Sequence, residues 1–447
     1  MEPYTLRLVQ QLPLFLSIVS LVIVIFPLRA AALSKPIVGF RLELSRVDAT
    51  RNFSKVEQLR HATRRSNHRL AQLMARSAKW NGSSGIATSA PVHAGNGEFL
   101  MELAIGTPLV PFSAIVDTGS DLIWTQCKPC INCFDQPTPL FNPTKSSTYS
   151  KLPCSNSLCS ALPTSACTEN GSACEYFYSY GDSSSTEGVL SADTFAIGFP
   201  KPISVPGIGF GCGDDNQGAG FSQGGGLVGL GRGPLSLVSQ LSLTQFSYCL
   251  TSLDSSKKSP LLLGPVAEHN STATTMTTKL LKNAEQPSFY YLSLAGISVG
   301  GDLVSIPNGT FDLQSDGSGG LIIDSGTSIT YLEAEGYRAV KKAFLEKSKL
   351  KTANGNDVGL DLCFEVPAGE DTVVVPKLAL HFHGGADLEL PAENYVILDS
   401  ETGLLCVTLM GSRGLSILGN FQQQNMHVLY DLEKEALSFT PTKCDHL

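Results

Sequence analysis

Two short strings set an aspartate in nearly the same surroundings: Ile115 to Trp124 reads IVDTGSDLIW, and Leu321 to Leu332 reads LIIDSGTSITYL. In each, Asp117 or Asp324 follows an apolar run that reads as strand, precedes a hydroxyl-Gly-hydroxyl triplet, and gives way to apolar residues again. A turn explains one such copy, because Asp-Thr-Gly-Ser is good turn chemistry and Gly119 tolerates a positive φ. It does not explain two, whose joint chance is well under roughly one in a thousand at ordinary residue frequencies. Two carboxylates brought within about 3 Å of each other cannot both ionise, so the pair holds one proton. Such a pair takes a proton from a water while donating a hydrogen bond to the group being attacked. That chemistry requires neither a metal nor a covalent intermediate.

The elements that must position the two aspartates read as β. From Glu98 onward, short alternating or β-branched runs such as FLMELAIG, FYYLSLAGISVG, DTVVVP and LLCVTLMG are separated by Gly, Pro and Asn. The clearest helix signal there is Ala334 to Leu350, with Tyr337, Val340 and Phe344 on one face and lysines opposite. The duplication extends beyond the aspartates. GGLVGLGRGPLSLVSQL near Gly229 follows the first string, and LSILGNFQQQNMHVLYD near Gly419 follows the second. The 447 residues, 42% apolar and 16% charged with 42 Gly and 25 Pro, suit a strand-rich chain of two domains. Gly229, Gly231 and Gly233 lack the Gly-Lys-Ser/Thr that a phosphate loop needs. His381 and His383 have no third ligand in view and read as a surface pair.

The N-terminal part differs in character. Leu12 to Phe26 is a 15-residue apolar run behind Arg7, followed by Pro27 and Ala30-Ala31-Ala32. That length and that small-residue site predict a signal peptide, residues 1–32, rather than a membrane span. No apolar tail closes the chain, so no lipid anchor is expected. The whole chain has 32 Lys+Arg and 40 Asp+Glu; 13 and 4 of these lie in the first 80 residues, leaving 19 and 36 in the rest. A basic piece of net +9 and an acidic body of net −17 attract each other at neutral pH. Residues 33–80, helix-like from Val56 to Met74, therefore read as a removable pro-segment held by charge. Acid weakens that attraction by protonating carboxylates while the arginines stay charged. Secretion removes nucleic acid as a partner for the basic stretch.

All twelve cysteines lie beyond residue 126, and an even count in a secreted chain predicts six disulfides, more readily than a metal site at Cys127, Cys130 and Cys133. Asn-x-Ser/Thr sequons at Asn52, Asn81, Asn170, Asn270 and Asn308 are consistent with export and with surface loops.

After Gly97 the chain resembles the pepsin-type aspartic proteases, and its Cys-rich insert from Cys127 to Cys174 resembles that of the plant nepenthesin-like branch. The resemblance implies an all-β bilobal fold: two barrel-like lobes, 81–270 and 271–447, around a substrate cleft, with Asp117 and Asp324 as the catalytic pair. It implies that Thr118 and Ser325 tie the two loops together and that Ser120 and Thr327 support the aspartates. Gly119 and Gly326 let backbone amides point at the carboxylates. YSYGDSSSTEG, Tyr178 to Gly188, resembles the flap hairpin, with Tyr180 shielding the site and Trp124 as its hydrogen-bond partner. Ser183 departs from the glycine common at that place. Family pairing would join Cys127 to Cys130, Cys133 to Cys212, Cys154 to Cys174, Cys159 to Cys167, Cys249 to Cys444 and Cys363 to Cys406.

These expectations amount to a monomeric, secreted acid endopeptidase that acts on protein or peptide substrates and needs no cofactor or metal. Its own pro-segment is the intramolecular inhibitor, and its destination is the extracellular space or a vacuole. Glycosylation is expected at Asn81, Asn170, Asn270 and Asn308. The alternative from another class is a non-catalytic binder of cell-wall glycoside hydrolases on the same fold.

Overall fold

Apolar residues alternate along FRLELSR. In the computed structural model that segment is a strand, β1 (Phe40–Arg46), with Phe40, Leu42 and Leu44 buried. It pairs antiparallel with Ser259–Leu263, setting Leu42 opposite Leu261, and at its end with β2 (Phe99–Ile105), setting Leu44 opposite Met101. The stretch before the helix, expected to be attracted by charge, is thus also built into the sheet core. Its two-residue period was the available signal. The structure describes residues 39–48, 53–77, 99–180, 184–198, 200–218, 221, 224–268, 273–366, 373–399 and 402–447. The expected signal peptide, Ser183, Asn52, Asn81 and Asn270 lie outside them.

One antiparallel ladder joins the two lobes. It runs from β3 (Val110–Asp117) through β2, β1, Ser259–Leu263 and Gln245–Cys249, then crosses to Met426–Asp431, Ala436–Pro441 and Met276–Leu281 of the second lobe. At the crossing Phe246 stacks on Tyr430 with ring centroids 4.3 Å apart. Each aspartate ends or follows a strand paired in parallel with the apolar-Gly segment of its own half. Asp117 lies opposite Gly229, and Ile323, just before Asp324, lies opposite Leu418. A Cβ at Gly229 would stand 2.3 Å from the Asp121 backbone, and one at Gly419 2.5 Å from that of Ile329. Only glycine lets the two chains approach so closely.

Helix α1 (Lys55–Ser77) buries Leu59, Ala62, Ser66, Arg69 and Leu73, a 3-4-3-4 spacing that sets them on one face. Its apolar members pack with Phe289, Tyr291, Ile329, Tyr331, Val358 and Leu360 of the second lobe. The helix predicted from Ala334 spans Ala334–Lys347 and buries Tyr337, Val340 and Phe344.

Six disulfides close the framework. Cys249–Cys444 and Cys363–Cys406 join as the resemblance implies, whereas the other four pairs are re-partnered. Cys127 bonds Cys212, because β4 (Trp124–Gln126) runs parallel to Ile203–Gln217 with Thr125 opposite Cys212 and brings Cys127 within a Cα distance of 5.4 Å. That leaves Cys130 to close a tight loop with Cys133. Cys154 bonds Cys167, and Cys159, on the short helix Ser157–Ser160, bonds Cys174. All twelve thiols are consumed, so none is left to bind a metal.

Candidate active site

Asp117 and Asp324, 1% and 0% exposed, are held in loops that supply them with hydrogen bonds at short sequence range. Gly119 N–H donates to Asp117 Oδ1 at 2.9 Å and the Ser120 hydroxyl donates to Oδ2. Gly326 N–H donates to Asp324 Oδ1 at 3.2 Å and the Thr327 hydroxyl donates to Oδ2 at 2.6 Å. The two halves thus repeat one arrangement. Neither Gly119 nor Gly326 has a positive φ. Space is what Gly119 provides, since a Cβ there would clash with Arg69 Nη2 and come within 3.2 Å of Asp324 Oδ1, whereas one at Gly326 would meet only ordinary contacts. Across the loops, Ser325 N–H donates to Thr118 Oγ1 at 3.0 Å, and the Thr118 hydroxyl reaches Asp324 Oδ1 at 3.4 Å. Sequence reasoning missed Asn420, whose side-chain N–H holds the Ser325 carbonyl at 2.9 Å.

Arg69 of α1 lies between the two carboxylates. Its Nε donates to Asp324 Oδ2 at 2.9 Å, and its Nη2 donates to Asp117 and to Asp324 Oδ1, the latter at 3.3 Å. The guanidinium is 2% exposed. Burial on its own would disfavour charge on both partners. Against it, the adjacent aspartates hold Arg69 firmly protonated, and the Arg69 charge and hydrogen bonds, with those from Thr327 and Gly326, keep Asp324 below its ordinary value of 3.8. Neighbouring residues of α1 lock the helix in place. The Ser66 hydroxyl accepts from Ser328 N–H at 2.9 Å and Ile329 N–H at 3.1 Å, and Asn67 accepts from the Tyr331 hydroxyl at 2.7 Å. Arg65 pairs with Asp48 at 2.7 Å with both side chains largely buried, tying the helix back to the chain just after β1. Arg69 had no distinct signal among its arginine neighbours beyond its place on the buried face.

The flap residues form an antiparallel hairpin: Cys174–Ser179 pairs with Ser185–Ile197, with Ser179 opposite Ser185. Tyr180 is 3% exposed, and its hydroxyl accepts from Trp124 Nε1 at 2.8 Å. Phe221 packs edge-on against both rings, with centroids 5.1 Å from Tyr180 and 4.8 Å from Trp124. The glycine-rich stretch has a structural use, since Gly233 N–H donates to Asp121 at 2.8 Å. His381 is engaged by Asp387 and Ser298, each at 2.7 Å, rather than by His383. Asn170 and Asn308 are both exposed.

The halves of the chain match two family models, described as Xylanase inhibitor N-terminal over residues 99–265 and Xylanase inhibitor C-terminal over 289–441. Aspartic proteinase nepenthesin-1 of Nepenthes gracilis is 48% identical over 410 residues, 91% of each chain. Aspartyl protease 37 of Oryza sativa subsp. japonica is 38% identical over 444 residues, covering 92% of this chain and 95% of that one. Among solved structures, basic 7S globulin from soybean superposes with a TM-score of 0.63 at 20% identity, covering 91% and 98% of the two chains, a likeness of fold.

Proposed function

The chain belongs to the nepenthesin-like branch of the pepsin-type aspartic proteases and is an aspartic-type endopeptidase; from that premise we propose that Asp117 and Asp324 perform the hydrolysis, in acid, and that the chain is made as a secreted zymogen. In this reading residues 1–32 direct export, 33–80 are the inhibitory pro-segment, and the lobes 81–270 and 271–447 carry one aspartate each. The observation that carries it is the placement of both aspartates in matching loops, bridged by a guanidinium from the segment read as removable.

With Arg69 withdrawn, two adjacent carboxylates retain one proton between them. The ionised member takes a proton from a water held between them as the water oxygen attacks the scissile carbonyl carbon. The protonated member donates to the carbonyl oxygen, giving a neutral gem-diol intermediate. Collapse restores the carbonyl, breaks the C–N bond and passes a proton to the departing amine. Thr118, Ser120 and Thr327 hold the carboxylates in register through these transfers, and Tyr180, fixed by Trp124, closes over the substrate. An extended peptide is the natural ligand of such a cleft, because main-chain hydrogen bonds supply affinity while pockets select side chains.

The test is digestion of a denatured globin by purified, acid-treated protein from pH 2 to 7, with and without pepstatin, beside Asp117→Asn. Acid activity abolished by both pepstatin and the substitution is expected. A folded protein freed of its pro-segment yet inactive throughout would overturn the reading in favour of the non-catalytic binder.

A further inference from the structure

The Cys-rich insert does not stand apart from the cleft. Its strand Ser165–Cys167 pairs with the flap strand Cys174–Ser179, with Ser165 opposite Tyr176, and the Thr164 carbonyl accepts from Phe177 N–H at 3.2 Å. Two disulfides fasten this three-stranded ribbon at its base: Cys154–Cys167 on the insert strand and Cys159–Cys174 at the first residue of the flap strand. The flap is therefore a hairpin with a third strand welded to its outer edge.

Where that third strand begins, the insert walls a cavity of about 550 Å³. Ala161, Pro163 and Thr164 of the insert form one side and Phe177 of the flap another; Leu235, Phe289 and Asp121, the last four residues beyond Asp117, are also in the lining. The cavity thus touches both the flap and the loop carrying a catalytic aspartate, the two features a bound peptide must pass between. Phe177 presents its ring there, 42% exposed. Of the charged groups in the wall, Asp121 accepts from Gly233 N–H and the Ser288 hydroxyl, and Arg232 donates to the Leu281 carbonyl and to Glu435, while Glu285 is exposed to solvent. The wall is mixed, and the apolar part of what it offers an incoming side chain comes from Ala161, Pro163, Phe177, Leu235 and Phe289.

We infer that the disulfide-pinned insert forms a specificity subsite of the cleft that takes a bulky apolar side chain of the substrate a few residues from the scissile bond. The inference rests on the endopeptidase reading. It makes Ala161 and Thr164 specificity-determining although both lie in an insert away from the duplicated aspartate strings. Burying a large apolar side chain is worth about 1.5–3 kcal/mol, and a pocket that does so prefers it over a small one by roughly 10- to 200-fold.

The test is positional profiling of cleavage in a complex peptide mixture by pro-segment-free wild type, Ala161→Phe and Thr164→Trp, with thermal unfolding as the folding control. Wild type is expected to select large apolar residues at one position near the cut. Both filled variants should lose at least tenfold of that selectivity, through KM rather than kcat, while peptides too short to reach the position are cleaved at the wild-type rate. Unchanged profiles at every position in both folded variants would overturn the inference and leave the endopeptidase intact. A wild type that cleaves nothing would bring down the endopeptidase reading first, and the inference with it.

Discussion

Replacing Arg69 by alanine should release the latch while leaving the chain uncut. The guanidinium bridges two buried carboxylates through Nε and Nη2 and is itself 2% exposed. Removing one partner of a buried, hydrogen-bonded charge pair costs about 3–5 kcal/mol, because the other partner is left uncompensated. In the open form the same carboxylates are solvated and share a proton, so nearly all of that cost falls on the closed form. At about 1.4 kcal/mol per decade, the open population rises by roughly two to three and a half orders of magnitude. The lower end applies in mild acid, where the vacated pair takes up a proton and relieves part of the repulsion. The assay is hydrolysis of a quenched peptide by full-length protein at mild acid pH, with intact mass recorded on the same samples to show that the pro-segment is still attached. Wild type should be nearly silent and Arg69→Ala should turn over substrate about a hundredfold faster. Arg69→Lys keeps a cation but not the two-sided donor geometry, and it should fall between. A folded, uncut Arg69→Ala protein as silent as wild type would refute the reasoning.

Acid should open the wild-type precursor with a definite sign. Asp324 is held below its ordinary value of 3.8 in the closed form, so its contribution is complete above that pH and is lost as pH falls through the depressed value. Opening takes up about one proton at the free dyad, so onset of activity should quicken roughly tenfold per pH unit of acidification in that window; a pH-independent onset would contradict this. Ser66→Ala strands the Ser328 and Ile329 amides, costs about 1–3 kcal/mol of closed-form stability and should move release to higher pH, read by the pH at which half the pro-segment is lost. Tyr180→Phe leaves Trp124 Nε1 without its buried acceptor; a fall in kcat/KM with thermal stability lowered by about 1–3 kcal/mol is expected from kinetics and melting. Removing Cys249–Cys444, which spans a sequence separation of 195, should cost about 5 kcal/mol in the loop-entropy model, far more than removing Cys130–Cys133 with a separation of 3, as denaturant titration would show.

What could be read from the sequence follows the range of the interactions. Asp117 and Asp324 are specified by residues within three positions on either side, so both strings announce themselves. Tyr180 and Trp124 follow from short segments in the same way. Arg69 is different, since Arg60, Arg64 and Arg65 stand beside it in the same helix and the choice among them is made by the packing face. The spacing of Leu59, Ala62, Ser66 and Leu73 marks that face, and a search for it would have found the arginine. A net charge of the first 80 residues predicted attraction to the body and passed over β1, whose alternation was visible in FRLELSR. Cys249–Cys444 and Cys363–Cys406 pair as expected, and the other four pairs failed for a related reason: Cys127, Cys130 and Cys133, like the four cysteines within Cys154–Cys174, are close enough in sequence to combine several ways, and the strand at Trp124, the helix at Ser157 and the strand at Ser165 decide among them.

The most direct measurement is peptide hydrolysis in acid by wild type and Asp324→Asn after an added protease has removed the pro-segment from both, so that activation cannot mask chemistry. The account predicts pepstatin-sensitive turnover by wild type and a loss of at least a thousandfold in kcat for a folded Asp324→Asn. Comparable turnover by the two would contradict it, because hydrolysis would then not depend on the paired carboxylates.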